Sequence, residues 1–309
     1  MLTPVGEIQA ATRTREEQRE FERARVAEHY EHSPEVFSMV LDGALTYSTG
    51  MYLNPEEDLE TAQHRKFEYV RQLLDIRPGE RVLDVGCGWG SNMLYLAANT
   101  QGTFEGITLS AQQRLELLRR AKERGLRDRV RVDVCHVDEL TLAPESIDAI
   151  LFSGSIVHMR NREQIHGMVA RLLKPGGRLL ISDCYFPAQA RGDRTSNATD
   201  HIFFQTLGYC LLLNLHEELA FIQKAGLDIL HIQDLSSSYA LTLEAWINNI
   251  RRNRARIDAI DRGFAAVLQS YMTVAKLSFA RRTALEYMIL ATKGHPRISL
   301  AGLCAPRLA

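Results

Sequence analysis

Short apolar runs and amphipathic helical segments alternate along most of this chain. Runs of strand length, rich in Val, Ile and Leu, occur at 81–85, 103–107, 130–135, 146–153, 178–182, 227–232 and 287–292. Apolar residues at helical spacing fill the intervals at 60–74, 92–98, 111–124, 162–173 and 216–225. Because buried strands that alternate with helices form parallel sheets, the pattern predicts an α/β fold with a doubly wound, seven-stranded and mostly parallel sheet.

Three regions depart from this alternation. The N-terminal region, residues 1–75, is predicted to be helical and contains a capping box at Thr14–Glu17. After the fifth strand, residues 201–215 are almost wholly apolar and aromatic, which predicts a helical lid at about 185–215. Further helix is predicted at about 240–283. The core is therefore expected to span 76–294, and 295–309 is expected to be a disordered tail.

The end of the first strand carries the sequence RVLDVGCGWG, residues 81–90. Glycines at alternate positions let the backbone approach a ligand where a helix begins. A dinucleotide-binding loop needs the spacing G-x-G-x-x-G and a carboxylate about 20 residues later. Here the second strand ends at Thr108-Leu109-Ser110, without a carboxylate. The loop therefore indicates a nucleotide-like cofactor and disfavours a dehydrogenase.

Two motifs together resemble those of the S-adenosylmethionine-dependent methyltransferases. The first is VLDVGCGWG at 82–90, and the second is GITLSAQQ at 106–113. In combination they resemble the cyclopropane fatty acid and mycolic acid synthase branch, and the resemblance extends from about Tyr30 to Thr292. It implies a class I, Rossmann-like core with S-adenosyl-L-methionine as cofactor and S-adenosyl-L-homocysteine as product.

The resemblance also implies which residues contact the cofactor. Tyr47 and Ser48 match the family's tyrosine-serine pair near the methionine end of the cofactor. The helix predicted from Thr14 to Arg25 is either a surface helix or a flap over the cofactor. Asp138 follows the third strand, where a carboxylate accepts from the adenine amino group, and Glu139 is a neighbouring alternative. The other implied cofactor residues are Asp84, Gly86, Gly88, Gly90, Thr108, Leu109, Gln113 and Ser153.

The acceptor side departs from the pattern of the cyclopropane branch. That branch has a cysteine after the tyrosine-serine pair, a glutamate before the histidine of the strand-four loop, and a histidine at the end of strand five. This sequence has Thr49, Val157 and Ser182 at the matching positions, which disfavours cyclopropane ring closure. Methylation of a hydroxyl or amine needs a base, whereas methylation of an alkene produces a cation that needs aromatic or anionic stabilisation and then loses a proton.

Four residues are candidates for catalysis. His158 is the candidate base, with a structural histidine as the alternative, and Asp183 and Tyr185 could orient an acceptor or, for Asp183, cap a turn. Tyr271 lies where the resemblance places a tyrosine near the reacting carbon. The predicted substrate pocket contains Thr49, Val157, Phe203, Phe204 and Tyr209, with core packing as the alternative for its aromatic members.

The expected function is C-methylation of an apolar, alkene-bearing small molecule such as an isoprenoid or another specialised metabolite. Two alternatives remain open: an O- or N-methyltransferase of a natural product with His158 as base, and a cyclase that retains the cofactor without transferring its methyl group. No metal is expected unless the acceptor is a diphosphate, for which Arg191 and Arg194 are candidate anchors.

Composition restricts the partners and the compartment. The formal net charge of -1 gives no overall attraction to nucleic acid or to an anionic membrane. The 5 cysteines are odd in number and lack C-x-x-C spacing, which fits a reducing compartment better than disulfides or a zinc site. No run approaches the roughly 18 apolar residues of a membrane span, and no signal pattern is present. A cytoplasmic protein is expected, with homo-oligomerisation left open.

Overall fold

The structure is a computed structural model of the 309-residue chain. It describes positions 14, 16, 17, 19–21, 23 and 24, and then residues 33–188 and 210–295. In the first of these, Thr14 Oγ1 accepts from the backbone of Glu17 at 3.3 Å, and the Glu17 carboxylate accepts from Thr14 N at 2.7 Å. The predicted capping box is therefore confirmed.

Among the described residues, seven strands form a continuous sheet in the order β3-β2-β1-β4-β5-β8-β7, and a short strand, β6, pairs with the end of β5. The strands are β1 (Arg81–Val85), β2 (Thr103–Thr108), β3 (Val130–Val134), β4 (Ile147–Ser153), β5 (Leu173–Phe186), β6 (Leu213–Asn214), β7 (Asp228–Asp234) and β8 (Leu285–Thr292). β8 is antiparallel to both of its neighbours, and the other pairings are parallel. The predicted doubly wound, mostly parallel sheet is confirmed.

Helices cover both faces of this sheet and one end of it. They are α1 (Pro34–Val40), α2 (Leu59–Leu74), α3 (Ser91–Asn99), α4 (Ala111–Glu123), α5 (Arg162–Leu172), α6 (Leu215–Lys224), α7 (Ser236–Ile260) and α8 (Phe264–Ala280). Two 3₁₀ turns, Val137–Glu139 and Ile156–His158, follow β3 and β4. Within the described ranges, no helix combines the length and the apolar character that crossing a membrane requires.

The alternation of side chains along each strand divides the core into two layers. Val82, Leu180 and Met288 pack with residues of α2, α3 and α4 on one side, which we call the α2 face. Leu83 and Ile289, one position further along their strands, pack with α5 and α6 on the opposite side, the α5 face. Consequently, alternate positions along a strand reach opposite faces of the sheet, and we call this the parity of a residue in its strand.

A third hydrophobic cluster lies beside the carboxyl edge of the sheet. It packs α1, α7 and α8 around Trp89, which belongs to the glycine loop after β1. The amino edge is closed by a buried ion pair, since Arg178 donates to the Glu80 carboxylate at 3.0 Å and to the Leu74 carbonyl at 2.8 Å. The carboxyl edge is therefore the edge left for a ligand.

Three predicted boundaries need correction. The further helix predicted at about 240–283 begins earlier, at Ser236, and consists of two helices separated at Gly263, whose φ is +86°. The apolar run predicted as helix up to Leu215 ends instead in β6, because its last residues pair with the extended end of β5. β5 itself runs beyond the predicted 178–182, because pairing with β8 continues to Tyr185.

Candidate active site

An open cleft lies at the carboxyl ends of β1, β2 and β4, where ligands bind in open α/β sheets. It has about 960 Å³ of empty space, a volume that includes open solvent at its mouth. All the residues predicted to bind the cofactor line this cleft except Gly90 and Asp138; they are Tyr47, Ser48, Asp84, Gly86, Gly88, Thr108, Leu109, Gln113 and Ser153.

The glycine loop forms the floor of the cleft. Gly86 and Gly88 have φ values of +77° and +53°, which L side chains rarely adopt. A Cβ at Gly86 would meet Ser155 Cβ at 2.5 Å, whereas a Cβ at Gly88 would have no described heavy atom within 4 Å. The backbone at Gly88 is therefore exposed to the cleft. Gly90 does not line it but is the N-cap of α3.

Three residues of the cleft wall carry buried polar atoms without a hydrogen-bond partner in the described part of the chain. These atoms are Asp84 Oδ1, Asn92 Oδ1 and Trp89 Nε1. Because buried polar atoms are seldom left unsatisfied, they indicate a bound ligand. Burial raises the pKa of Asp84 from 3.8 to about 7, and a ligand cation beside the carboxyl would favour its ionised form.

The wall after β2 is fixed by local hydrogen bonds. Thr108 Oγ1 donates to Gln113 Oε1 at 2.6 Å, and Ser110 caps α4 by accepting from Gln113 N at 3.2 Å. After β3, His136 and Val137 line the cleft together with Cys135. Asp138 is half-buried beside them, and its backbone nitrogen donates to His136 Nδ1 at 3.2 Å. Its proposed contact with adenine remains a prediction.

A buried lysine that the sequence analysis did not single out supports the wall at Ser48. Lys66, on α2, is 1% exposed and donates from Nζ to Ser48 Oγ at 2.9 Å. Ser48 Oγ lies 3.5 Å from Ser153 Oγ, which accepts from Asn92 Nδ2 at 3.1 Å. Burial lowers the pKa of Lys66 to about 7. No sequence pattern distinguishes Lys66, since a lysine in an amphipathic helix is usually on the solvated face.

His158 lines the cleft at the end of the turn that follows β4. Its Nδ1 lies 3.7 Å from Cys210 Sγ. The turn is held from both sides, because Val157 N donates to Asp183 Oδ2 at 3.1 Å and Val157 O accepts from Leu211 N at 2.7 Å. His158 is thus the predicted catalytic residue that the structure places in the cleft.

The other predicted residues of the acceptor side lie away from the cleft lining. By strand parity, Asp183 and Tyr185 belong to the α5 face, where Tyr185 packs in the core. Asp183 is 1% exposed and accepts from two backbone nitrogens, which accounts for it as a turn-fixing residue. Thr49 is fully buried and donates to the Gly50 carbonyl at 2.9 Å. Phe203, Phe204, Tyr209, Arg191 and Arg194 lie outside the described residues.

A row of polar side chains crosses the carboxyl edge on the α2 face instead. It consists of Asp84, Ser153, Ser182 and Glu286, and we call it the polar row. Ser153 and Ser182 are partners in the pairing of β4 with β5. Ser182 Oγ donates to Glu286 Oε1 at 2.9 Å, and Cys184 Sγ donates to Glu286 Oε2 at 3.2 Å. The row thus continues from the cleft wall to a buried carboxylate on β8 that the sequence analysis missed.

An aromatic cluster lies where the polar row leaves the cleft; it consists of Tyr47, Tyr239, Trp246, Tyr271 and Phe279. The Tyr47 ring, which lines the cleft, is 5.3 Å from that of Trp246. Tyr239 lies 4.5 Å from Phe279 and 6.2 Å from Trp246 between ring centroids. Tyr271, a predicted catalytic residue, is buried in this cluster rather than in the cleft wall, and burial raises its pKa above the ordinary value.

The donor set fits S-adenosylmethionine. That molecule carries cationic ammonium and sulfonium groups, to which the Asp84 carboxylate is complementary, since its Oδ1 has no partner among the described residues. It also carries polar groups that Asn92, Ser48 and Gln113 can bind. Its backbone contact would lie at the open Gly88. Within the described residues, no group of three or more His, Cys, Asp or Glu side chains could hold a metal ion.

Comparison with known proteins agrees with this site. Residues 16–287 match the family model described as mycolic acid cyclopropane synthetase. The chain is 30% identical to a probable fatty acid methyltransferase of Mycobacterium tuberculosis over 87% of its own length and 62% of that protein, so it spans under two thirds of this relative. It is 34% identical to the methyltransferase GfsG of Streptomyces halstedii over 68% of its length and 75% of that protein.

Solved structures show the same fold. The cyclopropane synthase MmaA2 from Mycobacterium tuberculosis has a TM-score of 0.82 at 22% identity, with 88% of this chain and 98% of that chain covered. A geranyl diphosphate methyltransferase gives 0.72 at 19% identity, with the same coverage. With the cleft and its glycine loop, these matches show that the chain belongs to the mycolic acid cyclopropane synthetase family of S-adenosylmethionine-dependent methyltransferases.

Proposed function

We propose that this protein C-methylates an apolar, alkene-bearing small molecule, such as an isoprenoid or another specialised metabolite. The observation that carries the proposal is the composition of the acceptor side, where aromatic rings adjoin the cofactor cleft. The three positions that the resemblance assigns to ring closure hold Thr49, Val157 and Ser182. These side chains replace a thiol, a carboxylate and an imidazole, so the cofactor half of the family is retained with a different acceptor half.

S-adenosylmethionine, when bound, supplies a methyl group activated as an electrophile by the sulfonium. The chain's own contribution is to hold the acceptor in line with that group, and such orientation can be worth roughly 7–11 kcal/mol of the barrier. Tyr47, on the cleft wall, offers its ring to a cation formed on the acceptor, and the buried Trp246 packs behind it at 5.3 Å between ring centroids. An apolar alkene is the acceptor that benefits most from such a wall.

A second candidate function has its own supporting observation. His158 lies in the cleft wall, in a turn fixed through Val157 and Asp183. A histidine in that place could remove the proton from a phenol, an alcohol or an amine. The alternative is therefore an O- or N-methyltransferase of a natural product, with His158 as the base.

A labelled-methyl transfer assay tests both candidates. Purified protein is incubated with methyl-labelled S-adenosylmethionine and a panel of prenyl diphosphates, unsaturated lipids, phenols and amines, and the products are separated by mass. Label on carbon of an alkene acceptor supports the proposal, whereas label only on oxygen or nitrogen supports the alternative. Conversion of an acceptor without incorporation of label would instead identify a cyclase that keeps its cofactor intact. Assays of the diphosphates with and without chelator show whether a divalent metal takes part.

A further inference from the structure

We propose that Glu286, on the last strand of the sheet, is the proton acceptor of the C-methylation reaction. It would take the place of the carboxylate that the cyclopropane branch carries before the histidine of the strand-four loop, where this chain has Val157. The inference rests on the proposed function, because only an alkene acceptor leaves a cation that must lose a proton from carbon.

The first support is the position of Glu286 relative to the cofactor cleft. Asp84 and Ser153 line the cleft, and Ser182 lies beside Ser153 on the adjacent strand, about 4.8 Å away as paired strands require. Glu286 is opposite Cys184 in the pairing of β5 with β8, two positions beyond Ser182. Four strands thus bring one polar row, all on the α2 face, from the cleft wall to the Glu286 carboxylate, which is buried behind the cleft lining.

The second support is the way in which the carboxylate is held. Ser182 Oγ donates to Oε1 at 2.9 Å, and Cys184 Sγ donates to Oε2 at 3.2 Å. A carboxylate has about four lone-pair directions, so each oxygen keeps one for a further proton. The backbone is fixed as well, because Glu286 N donates to Ser236 Oγ at 3.0 Å. The side chain is therefore oriented and still able to accept.

The third support is the position of the aromatic cluster. Cys184, which holds one oxygen of the carboxylate, packs against the same cluster as Tyr47 and Tyr239. Burial raises the pKa of Tyr239, and the charges of Cys184 and Glu286 raise it further. Rings that could stabilise a cation and a carboxyl group that could remove its proton therefore adjoin one hydrophobic cluster.

Titratable side chains from three elements, β5, α2 and α7, surround Glu286. β5 contributes Asp183 and Cys184, α2 contributes Lys66, and α7 contributes Tyr239. Burial raises the pKa of Glu286 to about 8 and Asp183 adds to this rise, whereas Cys184 and Lys66 act in the opposite direction. A carboxylate with a pKa near the working pH is a far stronger base than an exposed one.

The proposed step balances in atoms and electrons. The π electrons of the acceptor alkene form the new carbon–carbon bond to the methyl carbon, while the methyl carbon–sulfur bond breaks and its electron pair remains on sulfur. The cation on the acceptor then loses a proton from the adjacent carbon to the Glu286 carboxylate. The electrons of that carbon–hydrogen bond restore an alkene, and the protonated carboxyl returns its proton to water.

The test compares Glu286→Gln with the wild type on the alkene acceptor that the panel assay identifies. Since general-base catalysis contributes about 100-fold or more, kcat should fall by at least that factor, while the Kd for S-adenosylmethionine stays unchanged. In the wild type, kcat at saturating cofactor should rise with pH through about 8, as Glu286 ionises. Glu286→Asp should restore part of kcat.

A readout independent of turnover accompanies the kinetics. Infrared difference spectra of the cofactor-free protein should show a protonated-carboxyl band that disappears as pH rises through about 8 and is absent in Glu286→Gln. Ser182→Ala keeps the carboxylate but removes one hydrogen bond to it, and should shift the pH profile of kcat to higher pH. If Glu286→Gln fails to fold, the pH profile of Ser182→Ala provides the test of the inference.

Glu80→Gln is the matched control. Glu80 is also a buried, hydrogen-bonded carboxylate, but it pairs with Arg178 at the amino edge of the sheet. Its loss should lower stability and leave the pH profile of kcat unchanged. If the wild type C-methylates its acceptor and Glu286→Gln retains both kcat and the pH profile, the inference about Glu286 is overturned alone. If the wild type methylates only oxygen or nitrogen, the proposed function and this inference both fail.

Discussion

Asp84 illustrates how a single side chain can weaken the fold and strengthen binding. It is 3% exposed, one of its oxygens has no partner in the described structure, and burial raises its pKa to about 7. In the unfolded chain the same carboxyl has the ordinary pKa of an Asp side chain, about 3.9. At pH 8 the protein without ligand therefore holds a buried charge, and a cationic cofactor group would neutralise it.

Replacing Asp84 by Asn should separate these two effects. We expect Asp84→Asn to raise the free energy of unfolding at pH 8 by roughly 1–3 kcal/mol, because a neutral amide avoids the buried charge. The same variant should weaken S-adenosylmethionine binding by on the order of 100-fold, because the charge-assisted hydrogen bond is lost. Urea denaturation and isothermal titration calorimetry measure the two quantities.

The control for this variant is Asp148→Asn. Asp148 is equally buried on β4 but lies at the amino edge, where it accepts from Lys174 Nζ at 2.6 Å and from Arg81 N at 2.9 Å. Its replacement should lower stability and leave cofactor affinity as it was. A stability loss in Asp84→Asn as large as that in Asp148→Asn would contradict the role given to Asp84.

At the scale of elements, α5 and α6 are joined by a buried charged cluster around Glu218 and by an exposed ion pair. Glu218 of α6 is fully buried; it accepts from Arg162 at 2.9 Å and lies 2.7 Å from His166 Nε2. In the exposed pair, the side chains of Lys224 and Glu163 are 66% and 59% exposed. Removing one partner of a buried pair leaves an uncompensated charge, whereas an exposed pair is screened by water.

Glu218→Ala should therefore cost roughly 3–5 kcal/mol of unfolding free energy, while Glu163→Ala should change it by less than about 1 kcal/mol. Arg162 also donates to the Leu211 carbonyl at 3.0 Å. Glu218→Ala should consequently also increase proteolysis near residue 211 under native conditions. Similar losses in both variants would show that the buried pair does not join the two helices.

Elements were predictable from sequence where their signal is local. β1 and β4 are short apolar runs bounded by turn residues, and their observed limits agree with the pattern to within a residue. β6 was missed because a two-residue strand has no periodicity; it exists only because β5 extends beside it. The break at Gly263 was missed because the apolar spacing continues across it from α7 into α8.

The residues of the candidate site also fall into two groups, those that lie in one sequence motif and those that only strand pairing brings together. Asp84 and the glycines are adjacent in sequence, so their role follows from one motif. Glu286 contacts Ser182 across 104 positions, and the register of the antiparallel β5–β8 pairing decides that contact. Parity explains Asp183 too, since a shift of one position along β5 moves a side chain to the other face. No single-sequence pattern specifies that register.

At the scale of the whole molecule, buried titratable groups set the pH of greatest stability. Burial raises the pKa of Asp84 to about 7 and that of Glu286 to about 8, and it raises the pKa of Asp183 as well. A group whose pKa is higher in the folded than in the unfolded state loses its stabilising contribution as pH rises through the folded pKa. Asp84 and Glu286 should therefore weaken the fold as pH rises between about 5 and 8, and Asp183 acts in the same direction.

Two further groups change the stability at lower and at higher pH. Hydrogen bonds from Arg71 lower the pKa of Glu68 to about 2, so its contribution is present at neutral pH and is lost as pH falls below about 4. Burial lowers the pKa of Lys66 to about 7, so the penalty for its buried charge is relieved as pH rises between about 7 and 10. The ligand-free protein should thus be most stable near pH 5.

Urea denaturation at intervals from about pH 4.5 to 9 would measure this curve, and we expect a decline of a few kcal/mol between about pH 5 and 8. The double variant Asp84→Asn, Glu286→Gln should show a much shallower decline, because neither replacement ionises. Saturating S-adenosylmethionine should flatten the wild-type curve through Asp84 alone, leaving the part due to Glu286. A wild-type stability that rises steadily from pH 5 to 8 would mean that these carboxyls are ionised and compensated in the ligand-free fold, which would contradict the cofactor role of Asp84 and the raised pKa on which the Glu286 pH profile depends.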